Sequence, residues 1–307
     1  MSNAGNEIDN KLLIVGLGGL GGSIIEAFSK NGIEADSFDV DASKKSTKKS
    51  LEDALYQEPD IVFLCIPTHA LENTAKQLVK FENKVTAVSF SKGLNLSGQN
   101  SAEILSGILL NNNFVIAGGP LLSADIQNGK ASFAVLGTEK EDVLPAVRDV
   151  LQKISISSIS LADPSAVALC GVLKNIYAIA FGVAEGLNFG NNFMGALTVA
   201  VTAEMDEILT MSGVSKDNKL AIRLAGLGDV VASGFSETSR HRNMGLMIAK
   251  GQVVEEKGEG YISAPILAER LTERIESLPV LNAVANIITG KLKKEGLFDS
   301  VAPCFRK

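Results

Sequence analysis

The chain of 307 residues is poor in the side chains that build metal sites. Its two histidines are His69 and His241, and its three cysteines are Cys65, Cys170 and Cys304. Their spacing fits no zinc or other metal-binding pattern, so we expect no metal. An odd number of cysteines, two of them within apolar runs, is typical of buried thiols in a reducing compartment. The sequence therefore favours a cytoplasmic location.

The chain also lacks tryptophan and any excess of positive charge. Its formal net charge is −6, and because nucleic-acid binding requires clustered Lys and Arg, no nucleic-acid partner is expected. The basic run Lys44-Lys45 with Lys48-Lys49 is short, which is typical of a solvated loop. Residues 1–10 are polar and contain no apolar segment of a secretory signal. A hydrophobic content of 46% over 307 residues instead predicts a globular protein with two packed cores.

The two halves of the chain differ in pattern. The first alternates apolar runs with helical spacing, which predicts an α/β, Rossmann-like domain with a doubly wound, mainly parallel sheet. Its expected strands are residues 11–15, 35–40, 61–66, 85–89, 114–117 and 131–136, and its expected helices 23–30, 51–56, 71–81, 101–110 and 143–154. After about residue 163 only helices are expected, at 164–185, 193–211, 216–224, 230–232, 242–250, 264–276 and 280–289. We therefore expect an α/β domain over residues 1–162 and an all-α C-terminal domain over 163–307, with a ligand site between them.

Lys174 and Asn175 lie side by side in the middle of an apolar stretch, AVALCGVLKNIYAIAFGVA, residues 166–184. That length nearly spans a bilayer, but Lys and Asn are costly in lipid, and the flanks lack Trp and basic anchors. We therefore expect a helix buried in protein and no membrane span. Burial lowers the pKa of a lysine, which makes Lys174 a candidate for acid–base chemistry near neutral pH. The alternative is a buried stem whose ammonium group reaches solvent.

A glycine-rich segment fits the dinucleotide-binding pattern G-x-G-x-x-G: Gly16-Leu17-Gly18-Gly19-Leu20-Gly21. It follows an expected strand and opens an expected helix, as that pattern requires. Gly16 permits the tight turn, Gly18 lets the backbone approach a pyrophosphate, and Gly21 lets helix and strand pack closely. The first helical turn, with Gly19 and Leu20, offers free N–H groups to the phosphates. The alternative is a glycine-rich turn without a ligand.

Asp39 lies at the end of the second expected strand, about twenty residues beyond Gly18, where a carboxylate binds the adenosine ribose hydroxyls. This position slightly favours NAD over NADP. A simple turn residue at a strand end is the alternative. The nearby lysines at 44, 45, 48 and 49 are able to receive a 2′-phosphate, so the expected cofactor is NAD or NADP.

Six further segments occur in an order that resembles one family. They are Ile66-Pro67-Thr68, Ser91-Lys92-Gly93-Leu94, Gly118-Gly119-Pro120, Gly171-Val172-Leu173-Lys174-Asn175, Leu224-Ala225-Gly226-Leu227-Gly228-Asp229 and Ser239-Arg240-His241-Arg242. From Lys11 to about Gly290 the chain is similar to the bacterial-type NAD(P)-dependent glycerol-3-phosphate dehydrogenases. In that family an NAD(P)-binding Rossmann domain precedes a helical substrate-binding domain.

The resemblance implies reversible hydride transfer between a nicotinamide and C2 of glycerol 3-phosphate or dihydroxyacetone phosphate. It implies that Lys174 donates or accepts the proton of the C2 oxygen, and that Lys92 and Asp229 belong to the active site. The residues agree, because Lys92 lies at the carboxyl edge of the sheet, where ligands bind. Asp229 either orients Lys174 or caps the helix that follows it. A small phosphorylated substrate, a homodimer and a role in glycerophospholipid metabolism are implied as well.

The resemblance also implies the remaining site residues. Substrate contacts are expected from Lys92, Gly119, Asn175, Asp229, Ser239, Arg240 and His241, and cofactor contacts from Pro67, Lys92, Ser123, Arg240 and Glu259. Arginine suits bidentate contacts with phosphate, although a solvated Arg240 is the alternative. Glu259 lies in a charged stretch, so a solvated side chain without a ligand is the alternative for it as well. Asn175 is a candidate to fix the rotamer of Lys174.

Several departures from the family pattern leave the substrate open. A short lysine-rich connection replaces the family's long segment before the strand at 61–66, and single changes occur at Val40, Leu121, Ser123, Ala200 and His241. His241 replaces Asn beside the expected phosphate; a neutral imidazole would donate one hydrogen bond, and a charged one would add attraction. Two alternatives remain: a related dehydrogenase or reductase acting on another small hydroxy or keto compound, and a non-catalytic nucleotide-sensing protein.

Overall fold

The computed structural model describes residues 10–81, 84–111, 113–214 and 219–305. Two expectations fall largely or partly outside these ranges: the polar N-terminal stretch, residues 1–10, and the first residues of the helix expected at 216–224.

A sheet of seven strands forms the N-terminal half of the described chain, in the order β2-β1-β3-β4-β5-β6-β7. The strands are β1 Leu12–Val15, β2 Asp36–Phe38, β3 Ile61–Leu64, β4 Thr86–Ser89, β5 Phe114–Gly118, β6 Ser132–Gly137 and β7 Ile156–Leu161. Neighbouring strands are parallel except β5 and β6, which are antiparallel. The expected doubly wound, mainly parallel sheet is confirmed. Strand β7 was not expected, because its sequence ISSISL is polar at alternate and adjacent positions; only its first and last residues are buried.

Helices cover the sheet and form the C-terminal half. Those of the first half are α1 Gly19–Lys30, α2 Leu51–Leu55, α3 Thr68–Leu78, α4 Ser101–Ile108, α5 Ser123–Gln127 and α6 Leu144–Lys153. Those of the second are α7 Pro164–Gly186, α8 Gly190–Met211, α9 Lys219–Arg223, α10 Asp229–Gly234, α11 Arg240–Ala249, α12 Glu259–Arg270, α13 Pro279–Ile288 and α14 Gly296–Val301. A π-helical turn, Leu224–Gly228, joins α9 to α10. Helices α5 and α14 were not expected, and α12 begins five residues before the expected 264.

Both faces of the sheet are buried, which explains the unbroken apolar runs of its central strands. In β1, Leu12 and Ile14 pack with α1 and α6 on one face, whereas Leu13 and Val15 belong to a larger core on the other. That larger core continues without a break into the helical half, so the two halves share one apolar interior.

Helix α7 is the central element of the helical half. Its side chains are almost all buried, and 94% of its most apolar 18-residue window lies inside the structure. It is long and apolar enough to cross a membrane, but its neighbours are other parts of this chain, as expected. Asp163 caps it by accepting a hydrogen bond from the Ala166 amide at 2.9 Å. Gly137, at the end of β6, allows the start of α7 to pack there, since a Cβ would lie 2.8 Å from the Pro164 Cα.

Helix α11 crosses α7 at very short range. A Cβ on Gly182 of α7 would lie 1.9 Å from the Arg242 carbonyl oxygen, and a Cβ on Gly245 of α11 would lie 2.2 Å from the Ile179 carbonyl oxygen. Only glycine permits this contact at both positions. The crossing places the first turn of α11 beside the segment of α7 that follows Lys174.

Candidate active site

The glycine turn between β1 and α1 is fixed by its first and last glycines. Gly16 has φ +92°, and a Cβ there would lie 2.6 Å from the Cys65 carbonyl oxygen. A Cβ on Gly21 would lie 1.9 Å from the Gly16 carbonyl oxygen. A Cβ on Gly18, in contrast, would meet no atom of the described residues within 4 Å. Gly18 therefore borders open space at the N-terminus of α1, where free N–H groups are able to bind an anion.

Asp39 follows β2 and faces this turn. Its Oδ2 accepts a hydrogen bond from the Leu17 amide inside the glycine turn, and its Oδ1 accepts one from the Asp41 amide at 2.8 Å. The expected ribose-binding carboxylate therefore also holds the turn in place. Next to it, Val40 is 92% exposed. Lys48, one of the four nearby lysines, forms an ion pair with Asp36 at 3.0 Å.

Three charged side chains meet at the carboxyl edge of the sheet. Asp229, the first residue of α10, is buried, and its Oδ2 lies 2.6 Å from the Nζ of Lys92, which follows β4. Its Oδ1 lies 3.4 Å from the Nζ of Lys174 on α7. One buried carboxylate thus pairs with two ammonium groups from the two halves of the molecule. Ser233, one turn further along α10, accepts a hydrogen bond from Lys174 Nζ at 3.1 Å and donates one to Asp229 at 3.2 Å.

The surroundings shift the pKa values of this cluster. Burial lowers the pKa of Lys174 to about 8; the Asp229 carboxylate opposes that shift and the Lys92 ammonium group adds to it. Burial by itself would raise the pKa of Asp229, but the two lysines outweigh it and the pKa falls below its ordinary value. At neutral pH the cluster therefore contains an ionised carboxylate and a lysine able to exchange a proton.

Two alternatives that the sequence left open, a solvent-exposed ammonium group on Lys174 and a helix-capping role for Asp229, disagree with this geometry. The side chain of Lys174 is only 12% exposed, and its ammonium group is bonded inside the protein rather than extended into solvent. The N-cap position of α10 is occupied by Gly228, so Asp229 does not serve as that cap.

Each polar group of Lys92, its amide, its carbonyl oxygen and its Nζ, forms a hydrogen bond. Its amide donates to Glu259 Oε2 at 3.2 Å, and its carbonyl oxygen accepts from Asn175 Nδ2 at 2.8 Å. Its Nζ donates to the Gly119 carbonyl oxygen at 3.0 Å as well as to Asp229. Asn175, the expected candidate to fix the Lys174 rotamer, bonds the backbone of Lys92 through its side-chain amide.

Glu259, the first residue of α12, joins the helical half to two strand ends. Its Oε1 accepts from the amide and from the hydroxyl of Thr68, the first residue of α3 in the connection that follows β3, at 2.8 and 2.6 Å. Its Oε2 accepts from the amide of Lys92 after β4. The alternative of a merely solvated glutamate was therefore wrong.

The first turn of α11 carries Ser239, Arg240 and His241 in three different environments. Ser239 caps the helix, accepting from the Arg242 amide at 3.4 Å. Arg240 is 70% exposed and pairs with Glu256 at 3.3 Å. His241 Nε2 accepts from the Gly260 amide at 3.0 Å. Burial, with Lys174 and Arg240 nearby, lowers the pKa of His241 to about 3, so the imidazole is neutral at physiological pH and supplies no charge for a phosphate.

Comparison with known proteins identifies the family. Two family models match the chain: the NAD-dependent glycerol-3-phosphate dehydrogenase C-terminus over residues 163–299 and the corresponding N-terminus over residues 24–144. A glycerol-3-phosphate dehydrogenase [NAD(P)+] of Synechococcus sp. (strain RCC307) is 32% identical over 213 residues, which cover 67% of this chain and 70% of the relative. The chain belongs to the NAD-dependent glycerol-3-phosphate dehydrogenase family.

Other members of the glycerol-3-phosphate dehydrogenase family show the same relationship. The Glycerol-3-phosphate dehydrogenase [NAD(P)+] of Anaplasma phagocytophilum (strain HZ) is 28% identical over 250 residues, covering 78% of this chain and 77% of the relative. The crystal structure of the glycerol-3-phosphate dehydrogenase from Coxiella burnetii superposes with a TM-score of 0.81 at 18% identity, covering 98% of this chain and all of that one. The fold is therefore that of the family over nearly the whole chain.

The remaining expected residues of this family member lie around the cluster. Gly119 has φ +96°, and a Cβ there would lie 2.7 Å from the Phe133 carbonyl oxygen. Ser123 begins α5, and its Oγ would lie 3.4 Å from a Cβ on Gly19 in the glycine turn. Pro67 is the exposed N-cap residue of α3, and His69 is exposed in its first turn. The structure thus joins Lys92, Gly119, Lys174, Asn175 and Asp229 in one bonded network, with Arg240 outside it.

Sequence reasoning missed two residues that contact this network. Ser233 bonds both Lys174 and Asp229, and its signal was the spacing of four residues from Asp229, which puts both side chains on one face of a helix. Thr68 bonds Glu259 twice, although the motif Ile66-Pro67-Thr68 implied no role for it. Its only local signal was a hydroxyl directly after a proline that follows an apolar run.

Proposed function

We propose that this protein is an NAD(P)-dependent sn-glycerol-3-phosphate dehydrogenase. The reaction is reversible hydride transfer between the nicotinamide and C2 of glycerol 3-phosphate or dihydroxyacetone phosphate. The observation that supports it most directly is the buried Lys174 ammonium group, bonded to Ser233 and adjacent to Asp229 at the carboxyl edge of the sheet. Family membership over both halves of the chain agrees.

The cluster suits acid–base work on the C2 oxygen. A bound nicotinamide would supply the hydride for C2 of the ketone, and Lys174 would donate its proton to the oxygen; in the reverse direction the neutral amine would take that proton back. Lys92 contributes positive charge beside the developing alkoxide and contacts both substrate and cofactor. Asp229 keeps both ammonium groups in place through its two oxygens.

The phosphate of the substrate is assigned to the first turn of α11. Ser239, Arg240 and His241 supply its groups there, and Gly119 and Asn175 are assigned to the substrate site as well. Arg240 is exposed and carries a single weak ion pair, so its guanidinium is available to a dianion. Because Nε2 of His241 is an acceptor, its Nδ1 carries the proton and is the atom that donates.

The cofactor site is assigned to the glycine turn and the neighbouring strand ends. Gly16, Gly18, Gly19, Leu20 and Gly21 form the pyrophosphate site, with Ser123 beside it. Asp39 binds the adenosine ribose, and Pro67, Lys92, Arg240 and Glu259 surround the nicotinamide end. NAD is preferred slightly over NADP, because a carboxylate at 39 repels a 2′-phosphate and Val40 brings no cation to attract one.

Further assignments belong to the same proposal. The NAD(P)-binding domain comprises residues 1–162 and the substrate-binding domain 163–307, supported by the change from β7 to α7 between Leu161 and Pro164. The protein works as a homodimer in the cytoplasm, in glycerophospholipid metabolism.

The test is the initial rate of NADH and NADPH oxidation with dihydroxyacetone phosphate. We expect turnover with both, faster at limiting NADH. His241 and the shortened connection after β2 favour a second candidate, a reductase for another small keto compound. Turnover of such a compound without turnover of dihydroxyacetone phosphate would select it. Cofactor binding without turnover of any compound in the panel would select a nucleotide-sensing role.

A further inference from the structure

The start of helix α12 is capped from another helix. Its N-cap residue, Gly258, has no side chain, so the first N–H groups of the helix depend on other partners. The His241 ring of α11 supplies one, because its Nε2 accepts from the Gly260 amide at 3.0 Å. In this chain the imidazole of His241 therefore accepts the hydrogen bond that an N-cap side chain normally accepts.

The same turn of α12 is closely packed against its neighbours. A Cβ on Gly258 would lie 2.9 Å from His241 Nε2, and a Cβ on Gly260 would lie 2.5 Å from the backbone of Asn175 and 2.9 Å from His241 Cδ2. Glu259 lies between these two glycines, and a Cβ on Gly93 would come within 2.8 Å of its carboxylate. The imidazole and the backbone of α7 thus enclose the segment that carries Glu259.

Glu259 transmits this arrangement to the other half of the molecule. Both of its oxygens accept backbone N–H groups at strand ends, from Thr68 and from Lys92. The backbone of Lys92 is bonded on its other side by Asn175, the residue against which Gly260 packs. A displacement of the first turn of α12 would therefore loosen Lys92.

We propose that His241 is a positioning residue for Lys92, acting through Gly260 and Glu259, in addition to any contact with the substrate. The link from His241 to Lys92 is independent of the reaction; its consequence for turnover rests on the proposed function.

Two substitutions of His241 distinguish the roles of its two ring nitrogens, Nε2 and Nδ1. In His241→Gln the side-chain oxygen reaches about as far as Nε2, so it retains an acceptor for Gly260. His241→Asn retains a polar group near the position of Nδ1 but is too short to reach Gly260. His241→Leu removes both. His69→Leu is the control for the Lys92 peptide only, because His69 is exposed on α3 and is the only other histidine in the chain but is the neighbour of Thr68.

The primary measurement is amide hydrogen exchange of the peptides that contain Thr68 and Lys92, in the full-length protein. We expect exchange at least about fivefold faster in the Leu and Asn variants, as for the loss of one neutral hydrogen bond. The Gln variant, and the His69 control in the Lys92 peptide, should exchange at nearly the wild-type rate. The Gln and Asn variants suffice if the Leu variant does not fold.

Initial rates with dihydroxyacetone phosphate are the second measurement. We expect kcat to fall about tenfold in the Asn variant and to be largely restored in the Gln variant, since imprecise placement of a charged group weakens transition-state stabilisation. Wild-type exchange rates in both the Leu and Asn variants would overturn the proposal. A raised KM alone, with protected amides, would show a phosphate ligand only and would also overturn it. Faster exchange in a protein that does not turn over dihydroxyacetone phosphate would support the positioning role and reject the proposed function.

Discussion

The Nζ of Lys92 and the carboxylate of Asp229 lie 2.6 Å apart, although 137 residues separate them in the sequence. The pair joins a strand end to a helix of the other half, and it leaves the second oxygen of Asp229 for Lys174. Because the carboxylate is buried, removing either lysine leaves a charge with fewer partners, which costs more than loss of an exposed pair.

Replacement of Lys174 should abolish most of the activity. We expect Lys174→Met to fold and bind NADH but to lose at least about 100-fold in kcat, the typical contribution of a general acid or base. The measurement is the steady-state rate with dihydroxyacetone phosphate beside NADH binding by fluorescence. Lys291→Met, at an exposed position, is the control and should behave as wild type. Activity of Lys174→Met close to wild type would refute the role given to this lysine.

The pH profile should report the lowered pKa of Lys174. Reduction needs the ammonium form, so its kcat should fall as the pH rises through about 8, whereas the oxidation rate should increase over the same range. The Asp229 carboxylate raises the pKa of Lys174, so in Asp229→Asn the inflection should move to lower pH. A profile that is flat from about pH 7 to 9 in both directions would contradict the assignment.

Arg240 should affect substrate affinity more than stability. Its guanidinium is 70% exposed and, among the residues that the structure describes, pairs with the exposed Glu256 alone, so Arg240→Ala should change the free energy of unfolding by less than about 0.5 kcal/mol. We expect the KM for dihydroxyacetone phosphate to rise at least about tenfold, from loss of a charge-assisted contact. Arg274→Ala, also exposed, is the control. An unchanged KM would exclude Arg240 from the phosphate site.

Substitutions at two glycines of the turn should have different effects: one should weaken NADH binding and the other should disrupt packing. Gly18→Ala adds a methyl group in open space, so we expect a folded protein with weaker NADH binding. Gly21→Ala would bring a methyl group to 1.9 Å from the Gly16 carbonyl oxygen, so we expect a loss of several kcal/mol in the free energy of unfolding, or no folded protein. Thermal unfolding and NADH titration measure the two effects. Equal stability of both variants would disagree with the close contact.

Glu204 on α8 should make stability depend on pH. Its buried carboxylate accepts from the amides of Val280 and Leu281 at the start of α13 and from the Tyr177 hydroxyl. Burial raises the pKa of Glu204 to about 7, and these hydrogen bonds only partly oppose it. A carboxyl group whose folded pKa lies above its unfolded value binds more protons in the folded state, so stability falls as the pH rises between the two values.

We therefore expect the free energy of unfolding to decrease between about pH 5 and 7 by up to roughly 3 kcal/mol through this group. Glu204→Gln should remove that part of the slope while keeping an acceptor for one of the α13 amides. Urea unfolding at several pH values measures it, with Glu269→Gln at an exposed position of α12 as the control. The same slope in wild type and in Glu204→Gln would show that the carboxylate does not titrate in this range.

The sequence predicted those features that depend on local pattern. The alternation of apolar runs and helical spacing indicated the parallel sheet, and a charged residue within the apolar stretch of α7 indicated Lys174. Spacing and context also indicated the glycine turn. Strand β7 was missed because an edge strand needs little apolar surface, and its serines are half-exposed.

The connections between the two halves had no local signal. Glu259 bonds Thr68 across 191 residues and Lys92 across 167, and nothing near Glu259 in the sequence indicates either partner. The neutral state of His241 depends likewise on burial by elements that are distant in the chain. Such contacts follow from the packing of α12 against α7, which the helical periodicity of either segment does not specify.

The reversed direction of β6 determines where helix α7 begins, and therefore how Lys174 comes to the active site. Since β6 is antiparallel to β5 and β7 is parallel to β6, the chain leaves β7 in the direction opposite to that of β1 to β5, and α7 starts against Gly137, which pairs with Ile116 near the end of β5. The helix then runs beside the sheet, and Val167 packs against Gly118 at the end of β5. From Pro164 to Lys174 an α-helix advances about 15 Å, roughly the length of a strand of five residues. A single uninterrupted helix thereby places the Lys174 ammonium group about 15 Å from the end of β6, beside Asp229, without a flexible loop between them.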